Sequence, residues 1–267
     1  MRPLAVLAVL TAALPTVHGR AAEGQGPGAA GELPAGHPGV PGAPSSQELL
    51  AQVEARKAEL ARRPKTMEIE LALGTLYLAS GRILDAIDWY RQAIETGEAG
   101  WKRWLAIPAT ARGARPPEAT RAACARSSSL GSRELVALAE ARLAKGDQAG
   151  GAFCLRQALE PSLEALSRRG NAWFLAGNPD QGVADHEEVL RRDPSRTESL
   201  YFIGAILRDS AGEDLERLRR GRQAWLELRR RDPKSPRLAA VAEALPGLEA
   251  QIANGGKKPE PAAAHRR

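Results

Sequence analysis

Aromatic residues are scarce in this chain: Phe, Trp and Tyr together make up 4% of 267 residues, although 43% are hydrophobic. Ala, Leu, Arg and Glu dominate instead, and all four cost little in a helix, so small-residue helix packing is favoured over a β-rich core. Cysteine is nearly absent. Cys124 and Cys154 lie too far apart for a CxxC redox or haem-attachment motif, and no second pair exists to complete a zinc site. No serine-nucleophile motif, phosphate-binding loop or ligand-spaced histidine cluster occurs either. These absences leave no assembled catalytic site, and a non-enzymatic chain without cofactor or metal is expected. Long apolar runs are missing too. The stretch Leu4 to Leu14 is too short to span a bilayer, and Pro15 interrupts its end.

That stretch has the form of a secretory signal. Arg2 supplies the positive start, and Val17 and Gly19 occupy the small-residue positions before a cut after Gly19. A cut after Ala21, or retention as an anchor, is the alternative. No cysteine follows the apolar run, which argues against a lipoprotein. The expectation is therefore a signal peptide over 1–19, an exported and periplasmic chain, and no transmembrane segment after cleavage. From 20 to 44 the chain is rich in Gly, Pro and Ala, a composition that cannot offset its ordering entropy, and a disordered linker is expected. His37 within it has no neighbouring ligand for a metal. Residues 254–267 read as a disordered tail.

Between these ends the hydrophobic pattern is helical and recurrent. Ser45 followed by Glu48 has the form of a capping box opening a first helix that ends near Pro64. One unit is then marked by Gly74, Tyr77, Gly81, Ala86, Tyr90 and Ala93. Gly170, Trp173, Gly177, Gly182, His186, Val189 and Pro194 mark another with the same offsets. This is the spacing of a helical hairpin of about 34 residues, repeated so that neighbours bury one another. Clear hairpins are expected over 67–95 and 163–196, and altered ones over 132–160 and 197–234, the last with an enlarged turn around Ser210 to Asp214. A helix restarting at Ser235-Pro236 closes the array, with Pro246 expected to kink or break it. The helical domain thus covers 45–253. Residues 101–131 fit the pattern poorly. Pro116-Pro117-Glu118 can open a helix, and Trp101, Trp104, Leu105 and Ile107 resemble the remains of another broken at Pro108. A decayed repeat is favoured over a loop of that length. Cys124 and Cys154 form either a disulfide or buried thiols, because spacing alone does not fix the Cα separation a bridge needs.

The order of small residue, aromatic, Gly turn, small residue, aromatic, small residue and closing Pro resembles the tetratricopeptide repeat family over about half the chain. The resemblance implies an all-α fold: a right-handed superhelix of antiparallel helix pairs, with opening and C-terminal capping helices. It also implies protein or peptide recognition in a concave groove lined by the first helix of each pair. Carried over by position, the groove residues are Leu71, Thr75 and Leu78, then Val136, Glu140 and Leu143, then Ser167, Asn171 and Phe174, then Tyr201, Ala205 and Arg208. The apolar ones at helical spacing read equally as core, which leaves Asn171, Phe174, Tyr201 and Arg208 as the candidate contacts. A clamp for a C-terminal carboxylate is disfavoured, since Ser167 and Phe202 stand where Lys and Asn are expected. A narrower resemblance links Leu49 to Ile94, and the ending "RRRDPKSPRLAAVAEALPGLEAQI", to the periplasmic repeat domain of bacterial cytochrome c maturation proteins. It implies apocytochrome c or its assembly machinery as partner, although the membrane helices of those subunits are missing here.

Charge is concentrated late in the chain. Arg217, Arg219, Arg220, Arg222, Arg229, Arg230, Arg231, Lys234 and Arg237 face only Glu216, Glu227 and Asp232 in the same stretch, a local +6 equal to the formal charge of the whole chain. This basic surface reads as a solvated helix face or as a site for an envelope polyanion, anionic lipid or acidic protein. Nucleic acid is not expected, because no stacking platform or base-reading motif accompanies the arginines. Asp185-His186-Glu187-Glu188 looks like a proton relay, but adjacent helical residues point in different directions, and His186 occupies the aromatic position of its repeat.

Overall fold

The computed structural model describes residues 46–62, 66–128 and 131–258. The expected signal 1–19, the linker 20–44, Ser45 of the capping box and tail residues 259–267 lie outside the described residues. The described residues form twelve helices and no strand. They are α1 (Ser46–Arg62), α2 (Met67–Ala79), α3 (Ile83–Ala106), α4 (Ala109–Gly113), α5 (Glu118–Ser128) and α6 (Ser132–Ala144), followed by α7 (Gln148–Ala158), α8 (Glu160–Leu175), α9 (Pro179–Arg192), α10 (Glu198–Ser210), α11 (Leu215–Arg231) and α12 (Leu238–Ala253).

Four antiparallel pairs carry the fold: α2 with α3, α6 with α7, α8 with α9, and α10 with α11. The first three share one turn. Gly81, Gly146 and Gly177 take φ near +80° (80°, 77° and 80°), and the amides of Arg82, Asp147 and Asn178 bond back to the carbonyls of Tyr77, Arg142 and Trp173 at 2.9, 3.0 and 2.8 Å. This is the helix-terminating motif that a residue without Cβ permits. The α10–α11 turn is longer and ends differently: the Asp214 carboxylate caps α11, accepting from the amides of Glu216 and Arg217 at 2.9 and 3.1 Å.

Within each pair the helices cross where a small residue meets a large one. A Cβ on Gly74 would lie 2.5 Å from the Tyr90 ring, and one on Gly204 2.2 Å from the Trp225 indole. At the α8–α9 crossing both sides are glycine, Gly170 and Gly182, and His186 fills the remaining space. Tyr90, His186 and Trp225 are all buried.

The order of packing departs from the order in sequence. α8 packs along α3 and α2, whereas α7 and α8 barely touch. The second pair therefore stands beside the stack, with α4, α5 and the far end of α3 packed around it. The local cause is the α7–α8 junction. Only Leu159 separates the two helices, and its φ of −90° and ψ of −1° are close to helical. Without a reversing turn, α8 cannot fold back onto α7. It runs instead onto α3, where Gly97 and Gly100 admit it: a Cβ on Gly97 would lie 2.6 Å from Ser162, and one on Gly100 2.6 Å from Leu159. The stack thus runs α1, α2, α3, α8, α9, α10, α11, α12.

Residues 101–131 hold the end of α3, the single turn α4 and α5. Trp101 and Trp104 continue α3 and are buried, and the Trp104 indole donates to the Ala152 carbonyl at 3.1 Å. Cys124 on α5 and Cys154 on α7 are both fully buried and joined as a disulfide, with Cα atoms 5.3 Å apart. That resolves the alternative between bridge and separate buried thiols. Pro246 does not break α12. It and Ala242 are both exposed, so the carbonyl deprived of its partner faces water.

Candidate partner-binding surface

The stacking order decides which first helices lie side by side. α8 packs along α2, and α10 meets α8 over a short contact in which Phe174 rests on Ile203 and Ile206. Leu71, Thr75 and Leu78, then Ser167, Asn171 and Phe174, then Tyr201, Ala205 and Arg208 therefore fall in three neighbouring rows, and every one of them is half-buried. Between α2 and α8 the Arg168 guanidinium spans the seam. It bonds Glu164 at 2.8 Å and donates to the Thr75 hydroxyl at 3.4 Å. The Tyr90 ring is buried behind this seam, and burial raises its hydroxyl pKa above the usual phenol value.

The Asn171 amide oxygen accepts from His186 Nε2 at 3.1 Å, and the imidazole stacks on Phe202 with ring centroids 5.0 Å apart. His186 is fully buried, and burial pushes its pKa down to about 3, so the ring is neutral. Neighbouring Asp185 turns away to Arg169 in a bidentate pair at 2.8 and 2.7 Å. The four-residue acidic and histidine run is therefore split between two separate packing roles.

Phe174 rests against the cluster of Val183, Ile203 and Ile206. Tyr201 meets Phe202 edge-on at 5.4 Å, and the Arg237 guanidinium sits 5.3 Å from its ring centroid. Arg208 lies 5.3 Å from the Trp225 ring centroid and bonds Asp209 at 2.6 Å. α8 and α10 thus hold Asn171, Phe174, Tyr201 and Arg208 on adjoining helices, each anchored on one side and open on the other. Leu175, 54% exposed, sits beside Phe174 at the end of α8 and extends the apolar part. The positional carry-over passed over it, and Arg168 with it. Their signal was an apolar residue next to a Gly turn and a cation one residue past an inward position.

The row from the second pair does not join this surface. Glu140 pairs with Arg103 of α3, and Leu143 covers Gly151 of α7. Val136, Glu140 and Leu143 belong to the side pair because α6 packs with α5 and α7.

Six of the nine basic residues in the stretch face carboxylates, four of them on other helices. Arg217 reaches Asp180 at 2.8 Å, Arg220 reaches Glu187 at 3.3 Å, Arg222 reaches Glu249 at 2.9 Å and Arg237 reaches Glu198 at 2.8 Å. Arg230 pairs with Glu227 at 2.6 Å, and Arg231 lies 3.9 Å from the same carboxylate. Arg219, Arg229 and Lys234 have no ion pair among the described residues. Arg219, Arg222 and Glu249 rim an open cleft of ≈ 660 Å³ between α11 and α12, with Leu226 and Ile252 in its lining.

Among the described residues no group of three or more His, Cys, Asp or Glu side chains is placed to hold a metal ion. None of their helices is long and apolar enough to cross a membrane. No family model and no curated protein matches this chain.

Proposed function

We propose that this chain is a non-enzymatic binding scaffold of the tetratricopeptide kind, exported to the periplasm, that holds a segment of a partner protein along α2, α8 and α10. The reading rests on one observation above all. Adjoining helices present Asn171, Phe174, Tyr201 and Arg208 as half-buried side chains, backed by a buried and neutral imidazole. Such a surface mixes apolar faces with amide and guanidinium donors, which suits an extended segment or an amphipathic helix. In this reading α1 opens a right-handed superhelix, α12 caps it, and the three rows form its concave side. The likeness of Leu49 to Ile94 to cytochrome c maturation domains favours apocytochrome c or its assembly machinery as the partner. A polyanion surface at Arg217 to Arg231 is the weaker reading, because most of those arginines already face carboxylates.

The test compares wild type with the triple variant Phe174→Ala/Tyr201→Ala/Arg208→Ala in pull-downs from periplasmic extract. A folded variant, checked by circular dichroism, is expected to lose the partners that wild type recovers. Equal recovery by the two proteins overturns the proposal. Recovery that depends on Arg219 and Arg229 instead, and vanishes in high salt, transfers the function to the basic surface.

A further inference from the structure

The segment that runs over the side pair has almost nothing apolar to hold it down. From Ala109 to Ser128 it contains no Leu, Ile, Val, Met, Phe, Trp or Tyr. α4 buries no side chain at all, and α5 buries only Thr120 and Cys124; Pro116 between them is the remaining buried residue. Yet α4 packs on α7, and α5 packs on both α6 and α7. Hydrophobic burial, the usual force behind such packing, is too small here to account for it. Other contacts contribute the holding, among them three that reach neighbouring helices. The Arg112 guanidinium lies 4.5 Å from the Trp104 ring centroid, Arg142 donates to the Thr120 hydroxyl at 3.0 Å, and the Cys124–Cys154 disulfide ties α5 to α7. The first two are exchangeable with water. The disulfide alone is covalent, and it closes a loop of sequence separation 30.

The stack itself does not depend on this segment. α8 reaches α3 and α2 directly, and among the described residues the main packing of α4 and α5 is on α6 and α7. Detaching the segment therefore leaves the α2–α3–α8–α9 packing in place.

We propose that residues 109–128 form a redox-controlled strap, in which reduction of Cys124–Cys154 by a dithiol frees α4 and α5 from α7 while the stacked helices stay folded. The chemistry is thiol–disulfide exchange. A thiolate of the dithiol attacks one sulfur and expels the other cysteine as thiolate, and the second thiol of the reductant then attacks the mixed disulfide and expels the first cysteine. Two electrons and two protons pass to Cys124 and Cys154, which end as thiols, and the reductant leaves as its own disulfide. Both sulfurs are buried in the closed state. The reductant accordingly acts on molecules whose strap has opened locally, and the bridge then no longer forms to recapture it. Release uncovers the faces of α6 and α7 beneath α5 and strips the Arg112 guanidinium from Trp104.

Hydrogen–deuterium exchange of the full chain, with and without dithiothreitol, tests this. Peptides covering 109–128 are expected to exchange at least about tenfold faster after reduction, while peptides of α2, α3, α8 and α9 keep their rates. The double variant Cys124→Ala/Cys154→Ala should show the fast strap without any reductant and no further response to it. Unchanged exchange over 109–128 in fully reduced protein, verified by thiol counting, overturns the proposal. So does a uniform acceleration across α2, α3, α8 and α9, because the bridge would then support the whole fold and not a strap.

Discussion

His186 shows how one side chain can serve packing at a measurable cost. It takes the position held by Tyr90 in the first pair and Trp225 in the last, closing the crossing that Gly170 and Gly182 open. Its Nε2 is satisfied by Asn171, but Nδ1 is buried with no partner among the described residues. Protonating the ring in place puts an uncompensated charge in the core, which is why its pKa lies near 3 in the folded chain. The unfolded ring titrates at its ordinary value of about 6.5, so the unfolded state binds the extra proton between the two values. Stability from this residue is full above about pH 6.5 and falls as the pH drops toward 3, by about 1.4 kcal/mol per pH unit. Asp185 works in the opposite direction, since burial raises its pKa. The comparison therefore needs a variant. Denaturant melts of His186→Phe at pH 7 and pH 5 should lose about 2 kcal/mol less between the two than wild type. Equal losses would show that the imidazole is not buried neutral.

At the scale of the helix, the glycines divide into two kinds that identical substitutions separate. Gly182 lies inside α9, where alanine alone would be worth about 1 kcal/mol in helix propensity. A Cβ there, however, would stand 2.7 Å from the Gly170 carbonyl oxygen, a backbone atom that cannot move aside without parting α8 from α9. Gly182→Ala is expected to destabilise by about 1–3 kcal/mol, the usual cost of overpacking. Gly247 lies inside α12 with nothing within 4 Å of its would-be Cβ. Gly247→Ala should therefore stabilise by about 0.5–1 kcal/mol. Chemical denaturation reads both, and the opposite signs are the point of the pair. The Gly–small–aromatic offsets that flag these crossings were readable in sequence, because the crossing distance itself selects the residue types. What the same offsets concealed was the junction after α7. Ala139 and Gly170, the crossing positions of the second and third pairs, are 31 residues apart, against 34 between Gly170 and Gly204. Those three missing residues are the missing turn. The deficit was visible, but its consequence depended on whether another helix could receive α8, and Gly97 and Gly100 of α3 lie some sixty residues upstream of it. The candidate surface was legible to the same degree: Phe174 and Tyr201 follow from position along their own helices, whereas their adjacency to Thr75 follows only from the stacking order.

For the molecule as a whole, the consequence is that a chain written as four successive hairpins stacks only three of them in line. The side pair leaves the row because its second helix flows into α8, and the row closes because α3 extends to Ala106 with a small-residue face. The candidate surface then draws on α2, α8 and α10, while Arg217, Arg220 and Arg222 of α11 pair with carboxylates of neighbouring helices. The arrangement is testable through the α3–α8 contact. A Cβ on Gly97 already meets Ser162 and the Met67 sulfur at 2.6 and 2.9 Å, so Gly97→Leu cannot be accommodated without moving the start of α8. It should destabilise by about 2 kcal/mol or more, as other forced insertions into packed cores do. The location of the damage separates the two packing orders. With α8 against α3, amide exchange should accelerate first in α8 and in the adjoining part of α2. Were the hairpins stacked in chain order, α6 would lie against α3 and would loosen in its place while α8 kept its protection. Exchange mapped by peptide on the folded variant, at a denaturant concentration well below its midpoint, distinguishes the two, and protection lost in α6 alone would refute the order described here.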